Sequence, residues 1–293
     1  MFRQSTTRDP AIRGILYMVL SCGLLTCNDG LMKWVAETQP VGQIVFVRGL
    51  FVLLPIAALA WRAGGWTALR VRNVKGQAAS AALLTVSLFL FVTALPLMPL
   101  ADAIVIIYVS PIIVIVLAPR LLGEQIGWRR WSAVVVGFAG VALVMRPEGG
   151  RLDWVVFLPL VVAVLLAFRD ILMRRLVSSE TSVSILLTAN TVSALCGLAT
   201  STLGWPPIGL AEVGLLALAG LLFGLAQFLM SEAFRHADAG LAAPFRYSSV
   251  VWAILFGYAV WRELPDLWAV AGIVLIIASG LFILHREARR RRS

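Results

Sequence analysis

The feature that most constrains this chain is a succession of apolar runs, each about twenty residues long, recurring along all 293 residues. A helix rises about 1.5 Å per residue, so about twenty apolar residues match the roughly 30 Å hydrocarbon layer of a bilayer. Ten such windows occur, at 12–35, 41–61, 76–96, 99–119, 128–146, 153–174, 182–203, 209–231, 239–261 and 266–285. The connections between them are short and marked by proline, glycine or charge, as at Gln39-Pro40, Gly64-Gly65 and Leu264-Pro265-Asp266. Lipid offers no hydrogen bonds to an open backbone, so each window is expected to be a continuous helix. Composition excludes a soluble globule: 60% of residues are hydrophobic and 14% charged, where soluble domains carry about a quarter charged.

The basic residues set an orientation. Arg3, Arg8 and Arg13, Arg62 to Lys75, Arg120 to Arg130, Arg174 and Arg175, Arg235 and the tail from Arg286 to Arg292 all fall at one set of window ends. Cytoplasmic loops carry such an excess, so both termini are expected on the cytoplasmic side of a bacterial-type inner membrane, as an even number of spans requires. The net charge of +10 is then a topology signal, and no nucleic-acid partner is expected. The first apolar run is too long for a signal core and carries Asp29 and Lys33, so it reads as a retained span. Cys22, Cys27 and Cys196 lie inside apolar runs without metal or Cys-x-x-Cys spacing and read as packing residues.

The chain is written twice. Asp29, Leu31, Met32 and Lys33 are answered by Asp170, Leu172, Met173 and Arg174, each 141 residues on. A second patch repeats at 139 residues, pairing Ala103 with Ala242, Tyr108 with Tyr247, Ser110 with Ser249 and Glu124 with Glu263. Two five-span halves result, 1–148 and 149–293. Five is odd, so the second half enters the membrane inverted relative to the first. The expected fold is all-α: ten transmembrane helices in two inverted five-helix repeats, an arrangement that secondary transporters use for alternating access.

Asn28-Asp29 with Lys33, the run Gln43 to Arg48, the run Ala103 to Pro111, and Gly123-Glu124 followed by Trp128, Gly137 and Gly140 resemble the drug/metabolite transporter superfamily, with its paired EamA-type repeats. The resemblance spans nearly the whole chain. The second half departs from it where Val250 stands for Pro111 and Arg262 for Gly123. It implies a secondary transporter of a small organic molecule, and its first half looks closest to carriers of planar vitamins or nucleoside-like compounds such as riboflavin or S-adenosylmethionine. An exporter of amino acids or drugs is the alternative within transport, and a channel or sensor the alternative outside it.

Polar residues at membrane depth are the candidate site, because each carries a cost that needs a partner or a function. Asp29 and Lys33, and likewise Asp170 and Arg174, are four apart on one helix face and read as ion pairs or gates, with Asn28 and Arg169 beside them. A substrate lacks two-fold symmetry, so arginines without a basic counterpart, Arg48 and Arg246, are candidates for binding a carboxylate or phosphate. Tyr108 and Tyr247 are candidates to stack on a flat ring from two sides, with Ser110 and Ser249 near them. Asn190 and Gln227 are substrate candidates whose default role is bonding between helices. Glu124 and Glu263 read as caps or topology markers. The two histidines, His236 and His285, sit beside arginines, and no catalytic triad, metal spacing or phosphate-binding loop is apparent. No enzyme activity, cofactor or metal is therefore expected; the expected partners are a small-molecule substrate, the lipid bilayer and a coupling ion or proton.

Overall fold

Helix follows apolarity window by window. The computed structural model describes residues 8–122, 128–145, 154–176, 179–236 and 243–290. The helices are α1 (Arg8–Ala36), α2 (Val41–Arg62), α3 (Val74–Ala94), α4 (Leu100–Ile107), α5 (Ser110–Leu122), α6 (Trp128–Met145), α7 (Phe157–Leu176), α8 (Ser182–Ala199), α9 (Leu210–His236), α10 (Ser248–Trp261) and α11 (Leu267–Arg290). Among the described residues every regular element is helical. Among the described residues seven segments are long and apolar enough to cross a membrane: Ile12–Ala36, Val41–Arg62, Val74–Leu97, Leu100–Leu117, Trp154–Met173, Ser182–Leu203 and Leu210–His236. Two shorter apolar helices, Trp131–Val144 and Leu267–Phe282, join them. This is a multi-pass membrane protein.

The fourth window departs from the single helix expected of it. Pro111 has no N–H for the carbonyl of Ile107, and its ring crowds that carbonyl. The helix accordingly stops at Ile107 and restarts at Ser110. Tyr108 and Val109 carry the chain across with tighter bonds, Tyr108 N–H to Val105 O at 3.0 Å and Val109 N–H to Ile106 O at 3.1 Å. The ninth window shows a related interruption. A 3-10 turn over Ala243–Tyr247 precedes α10. Both interruptions fall at the repeated tyrosines.

Burial is distributed as lipid requires. The outward faces carry Leu16, Leu20, Leu54, Val135, Leu195, Val251 and Val274, all exposed, whereas the interior holds Asn28, Lys33, Gln43, Arg48, Gln77 and Ser249. In water that arrangement would lose the hydrophobic driving force; in a bilayer the outward apolar side chains are already solvated. α1 packs on α9 and α10, α2 on α8 and α9, α3 on α7 and α8, α6 on α11, and α4 on α7 and α10. Small residues permit the close approaches. A Cβ added to Gly220 would stand 2.9 Å from the Arg48 carbonyl oxygen of α2. One added to Gly272 of α11 would stand 2.5 Å from the Gly140 carbonyl oxygen of α6.

Candidate functional site

α1 and α10 run parallel, and a ladder of contacts between them builds the site. At its lower rung the Cys22 thiol donates to the Arg246 carbonyl at 3.5 Å. One turn on, the Thr26 hydroxyl donates to the Ser249 carbonyl at 3.3 Å. Higher still, Gly30 lies so close to the Phe256 ring that an added Cβ would be 2.1 Å from it. At the top Lys33 meets Glu263 and Trp34 meets Trp261.

Beside this ladder lies a cavity of about 250 Å³ between α1, α3, α4, α7 and α10. Its polar walls are Thr26, Asp29, Ser87, Tyr108, Arg246 and Ser249; the remainder are leucine, isoleucine, valine and phenylalanine side chains from α1, α3, α4 and α7. The interrupted fourth span makes one wall possible. Because α4 ends at Ile107, Tyr108 turns its hydroxyl onto the Arg246 carbonyl at 2.9 Å and meets the Ser249 hydroxyl at 2.5 Å. Ser249 also donates to the Arg246 carbonyl at 2.9 Å, so the backbone at Arg246 is held from two sides. The Arg246 side chain is exposed, and its guanidinium has no acceptor among the described residues.

The charged residues divide differently from the sequence reading. Asp29 is half-buried on the cavity wall and accepts from the Asn28 amide at 2.8 Å. Arg48 does not line the cavity. It is buried behind Asn28, its Nε–H donating to Asn28 Oδ1 at 2.8 Å and its guanidinium 4.6 Å from the Phe223 ring centroid. Arg48, Asn28 and Asp29 thus form a relay in which the buried cation steadies the cavity carboxylate through an amide.

The expected pairing of Asp29 with Lys33 is not formed. Lys33 is 3% exposed, and its Nζ donates to Glu263 Oε1 at 2.6 Å and to the Met98 carbonyl at 2.9 Å. It also lies 4.8 Å from the Trp261 ring centroid. The other oxygen of Glu263 accepts from the Leu100 N–H at 3.2 Å, capping the first turn of α4. Helix spacing brought Asp29 and Lys33 onto one face, but a better partner arrives from the connection between α10 and α11. Asp102 stands near this tie with Oδ1 buried and unpartnered among the described residues.

Tyr108 and Tyr247 touch each other, their ring centroids 5.1 Å apart at an interplanar angle of 40°. A ring held between two stacked tyrosines would need about 7 Å between their centroids, twice an aromatic contact distance, so no third ring fits here. Tyr108 faces the cavity, whereas Tyr247 is buried with its hydroxyl against Gly280 of α11. Ser110 is buried, its hydroxyl without a partner among the described residues. Asn190 donates to the Gly49 carbonyl at 3.0 Å and so joins α8 to α2 away from the cavity. Gln227 is half-buried on α9, also outside the cavity lining. Arg169 is half-buried on α7 with Nε unpartnered among the described residues, and Asp170 is exposed. The side chain of Arg174 and all of Glu124 lie outside the described residues.

Glu180, which the sequence reading passed over, ties the connection between α7 and α8 to the start of α3. Its carboxylate accepts from the Arg72 N–H at 2.8 Å, from the Asn73 N–H, and from the Gln77 amide at 2.7 Å, at the start of α3. Burial opposes its charge, but the three donors outweigh it and hold the carboxyl below its ordinary value of 4.5. The only local signal was an acid directly before a helical window; its partner lies 107 residues away.

Residues 12–146 and 153–285 each match the EamA-like transporter family. The chain is 27% identical over 281 residues to the S-adenosylmethionine uptake transporter of Rickettsia prowazekii, covering 95% of this chain and 94% of that protein. It is 27% identical over 286 residues to the riboflavin transporter of Rhizobium johnstonii, covering 96% and 94%. It is 29% identical over 277 residues to the pseudopaline exporter of Pseudomonas aeruginosa, covering 91% and 94%. A solved crystal structure superposes with a TM-score of 0.65 at 20% identity, covering 96% of this chain and 99% of that one, a likeness of fold.

Proposed function

This chain belongs to the EamA-like transporter family, and on that premise we propose a secondary carrier that moves a small organic metabolite across the inner membrane by alternating access. The observation that carries the proposal is the cavity beside the interrupted fourth span, apolar on most walls and bearing Asp29, Tyr108 and Arg246. A channel has no need of a binding cavity with opposite charges on its walls, and a carrier that binds its cargo does.

Two inverted halves, 1–148 and 149–293, would supply the alternation. A two-fold operation exchanges equivalent residues, so an equivalent pair can touch only at the axis. Two such pairs touch: Tyr108 with Tyr247, and Gly49 with Asn190, which are 141 residues apart. Helix packing supports the same exchange. The contact of α1 with α9 answers that of α7 with α3, and that of α2 with α9 answers that of α8 with α3. Both termini would face the cytoplasm, on the distribution of arginine and lysine.

For the cargo, the reading favoured is a planar vitamin or nucleoside-like compound such as riboflavin or S-adenosylmethionine. Two relatives carry those names, and the exposed edge of Tyr108 offers one aromatic wall. Drug-sized sites run to about 300–1,000 Å³, so the cavity of about 250 Å³ would have to widen to admit either compound. An exporter is the second reading, favoured by the similarity to the pseudopaline exporter. The test is counterflow in proteoliposomes of the purified chain. A carrier exchanges labelled riboflavin or S-adenosylmethionine saturably against internal unlabelled compound; flux without exchange, or none with a wider metabolite panel, would sink the proposal. Inside-out vesicles then distinguish uptake from export.

A further inference from the structure

The cavity holds two opposite charges that do not neutralise each other. Asp29 accepts a hydrogen bond from Asn28, and the Arg246 guanidinium has no acceptor among the described residues. Arg246 is level with Cys22 on α1, and Asp29 lies seven residues beyond Cys22, so their backbones differ by two turns, about 10 Å along the helix. Between them are the Thr26 and Tyr108 hydroxyls and apolar side chains. Separate charges among apolar walls at membrane depth are costly to keep. A ligand that brings both charges meets both groups directly, whereas a neutral ligand dehydrates both, leaving Asp29 only the support of Arg48 through Asn28 and Arg246 no counter-charge among the described residues.

We infer that Asp29 and Arg246 select a substrate bearing a cationic centre and a carboxylate, with the cation at Asp29 and the carboxylate at Arg246. A guanidinium takes a carboxylate through two parallel N–H bonds, and the Tyr108 and Ser249 bonds to its own carbonyl hold the Arg246 backbone in place. The Arg48–Asn28 relay holds Asp29. This selection rests on the carrier reading, and it separates the compounds grouped there: S-adenosylmethionine carries both charges, riboflavin neither.

The test is binding to the purified full chain, read as the ligand-induced rise in melting temperature, with five probes. S-adenosylmethionine has ring, cation and carboxylate; its decarboxylated form lacks the carboxylate; 5′-methylthioadenosine and riboflavin are neutral rings; S-methylmethionine has both charges and no ring. S-adenosylmethionine should bind at least about tenfold tighter than methylthioadenosine. Arg246→Gln should reduce it to the affinity of the decarboxylated form and leave that form unchanged. Asp29→Asn should weaken every cationic probe and leave the neutral rings alone, with Asp29→Glu restoring part of the loss, which a merely misfolded variant would not show. Neutral rings binding as tightly as S-adenosylmethionine, indifferent to both substitutions, would overturn the two-charge selection and keep the planar cargo. Tight binding of S-methylmethionine alone, lost in both variants, would keep the selection and remove the planar cargo. Failure of both doubly charged probes to bind would overturn the selection.

Discussion

Replacing Glu263 by glutamine should destabilise the protein more than replacing its partner Lys33 by methionine, because the two members of the pair are unequally buried. Lys33 is 3% exposed and Glu263 27%. In Glu263→Gln the ammonium keeps the Met98 carbonyl at 2.9 Å and the Trp261 ring at 4.8 Å, but it loses its counter-charge. Removing one partner of a buried pair costs about 3–5 kcal/mol, and the remaining contacts place this case near the low end, about 3 kcal/mol. In Lys33→Met the carboxylate keeps the Leu100 N–H at 3.2 Å and some access to solvent, so the loss should be about 1–2 kcal/mol. The double variant carries neither charge and should lie within about 1 kcal/mol of the parent. Equilibrium unfolding in mixed micelles, followed by two probes to check for two-state behaviour, measures all three. Equal losses in the single variants, or a double variant worse than Glu263→Gln, would refute the assignment of Lys33 as a buried cation held by Glu263.

Three further outcomes are expected. Glu180 has its carboxyl held below 4.5, so its contribution is complete above that value and falls away as pH drops through the lower folded value; Glu180→Gln should flatten the acid limb of the melting curve and leave the neutral-to-basic limb parallel to that of the parent. An acid limb unchanged by the substitution would contradict this. Asn28→Ala removes the acceptor of the buried Arg48 Nε–H and should cost about 1.5–3 kcal/mol, seen in the same micelle titration; a loss below about 0.5 kcal/mol would mean Arg48 is held by other contacts. Gly272→Leu drives a side chain toward the Gly140 carbonyl, where even a Cβ would sit at 2.5 Å; overpacking of this kind costs about 1–3 kcal/mol, and a melting temperature equal to the parent's would refute the close α6–α11 contact.

Much of the fold was legible because the bilayer imposes a one-dimensional rule. Window length and apolarity located the helices, and Pro111 is the local cause of the break in the fourth span. The offsets of 141 and 139 residues are a repeat in the sequence, and the family model matches twice along the chain, over 12–146 and 153–285. Local spacing, by contrast, reports only which side chains share a helix face. It offered Asp29 to Lys33 four residues away, and the packed structure supplied Glu263 at a separation of 230. It ranked Arg48 and Arg246 together; packing buried Arg48 behind Asn28 and turned Arg246 toward the cavity. It paired Tyr108 with Tyr247 as two faces of one clamp, and the structure put those rings in contact with each other. The sequence by itself determined a membrane-embedded helical chain built from a repeat, since those properties follow from composition and period. Only the tertiary structure decided which charges meet a partner and which face a cavity, because a buried charge answers to neighbours brought in by other helices, whatever its own helix offers.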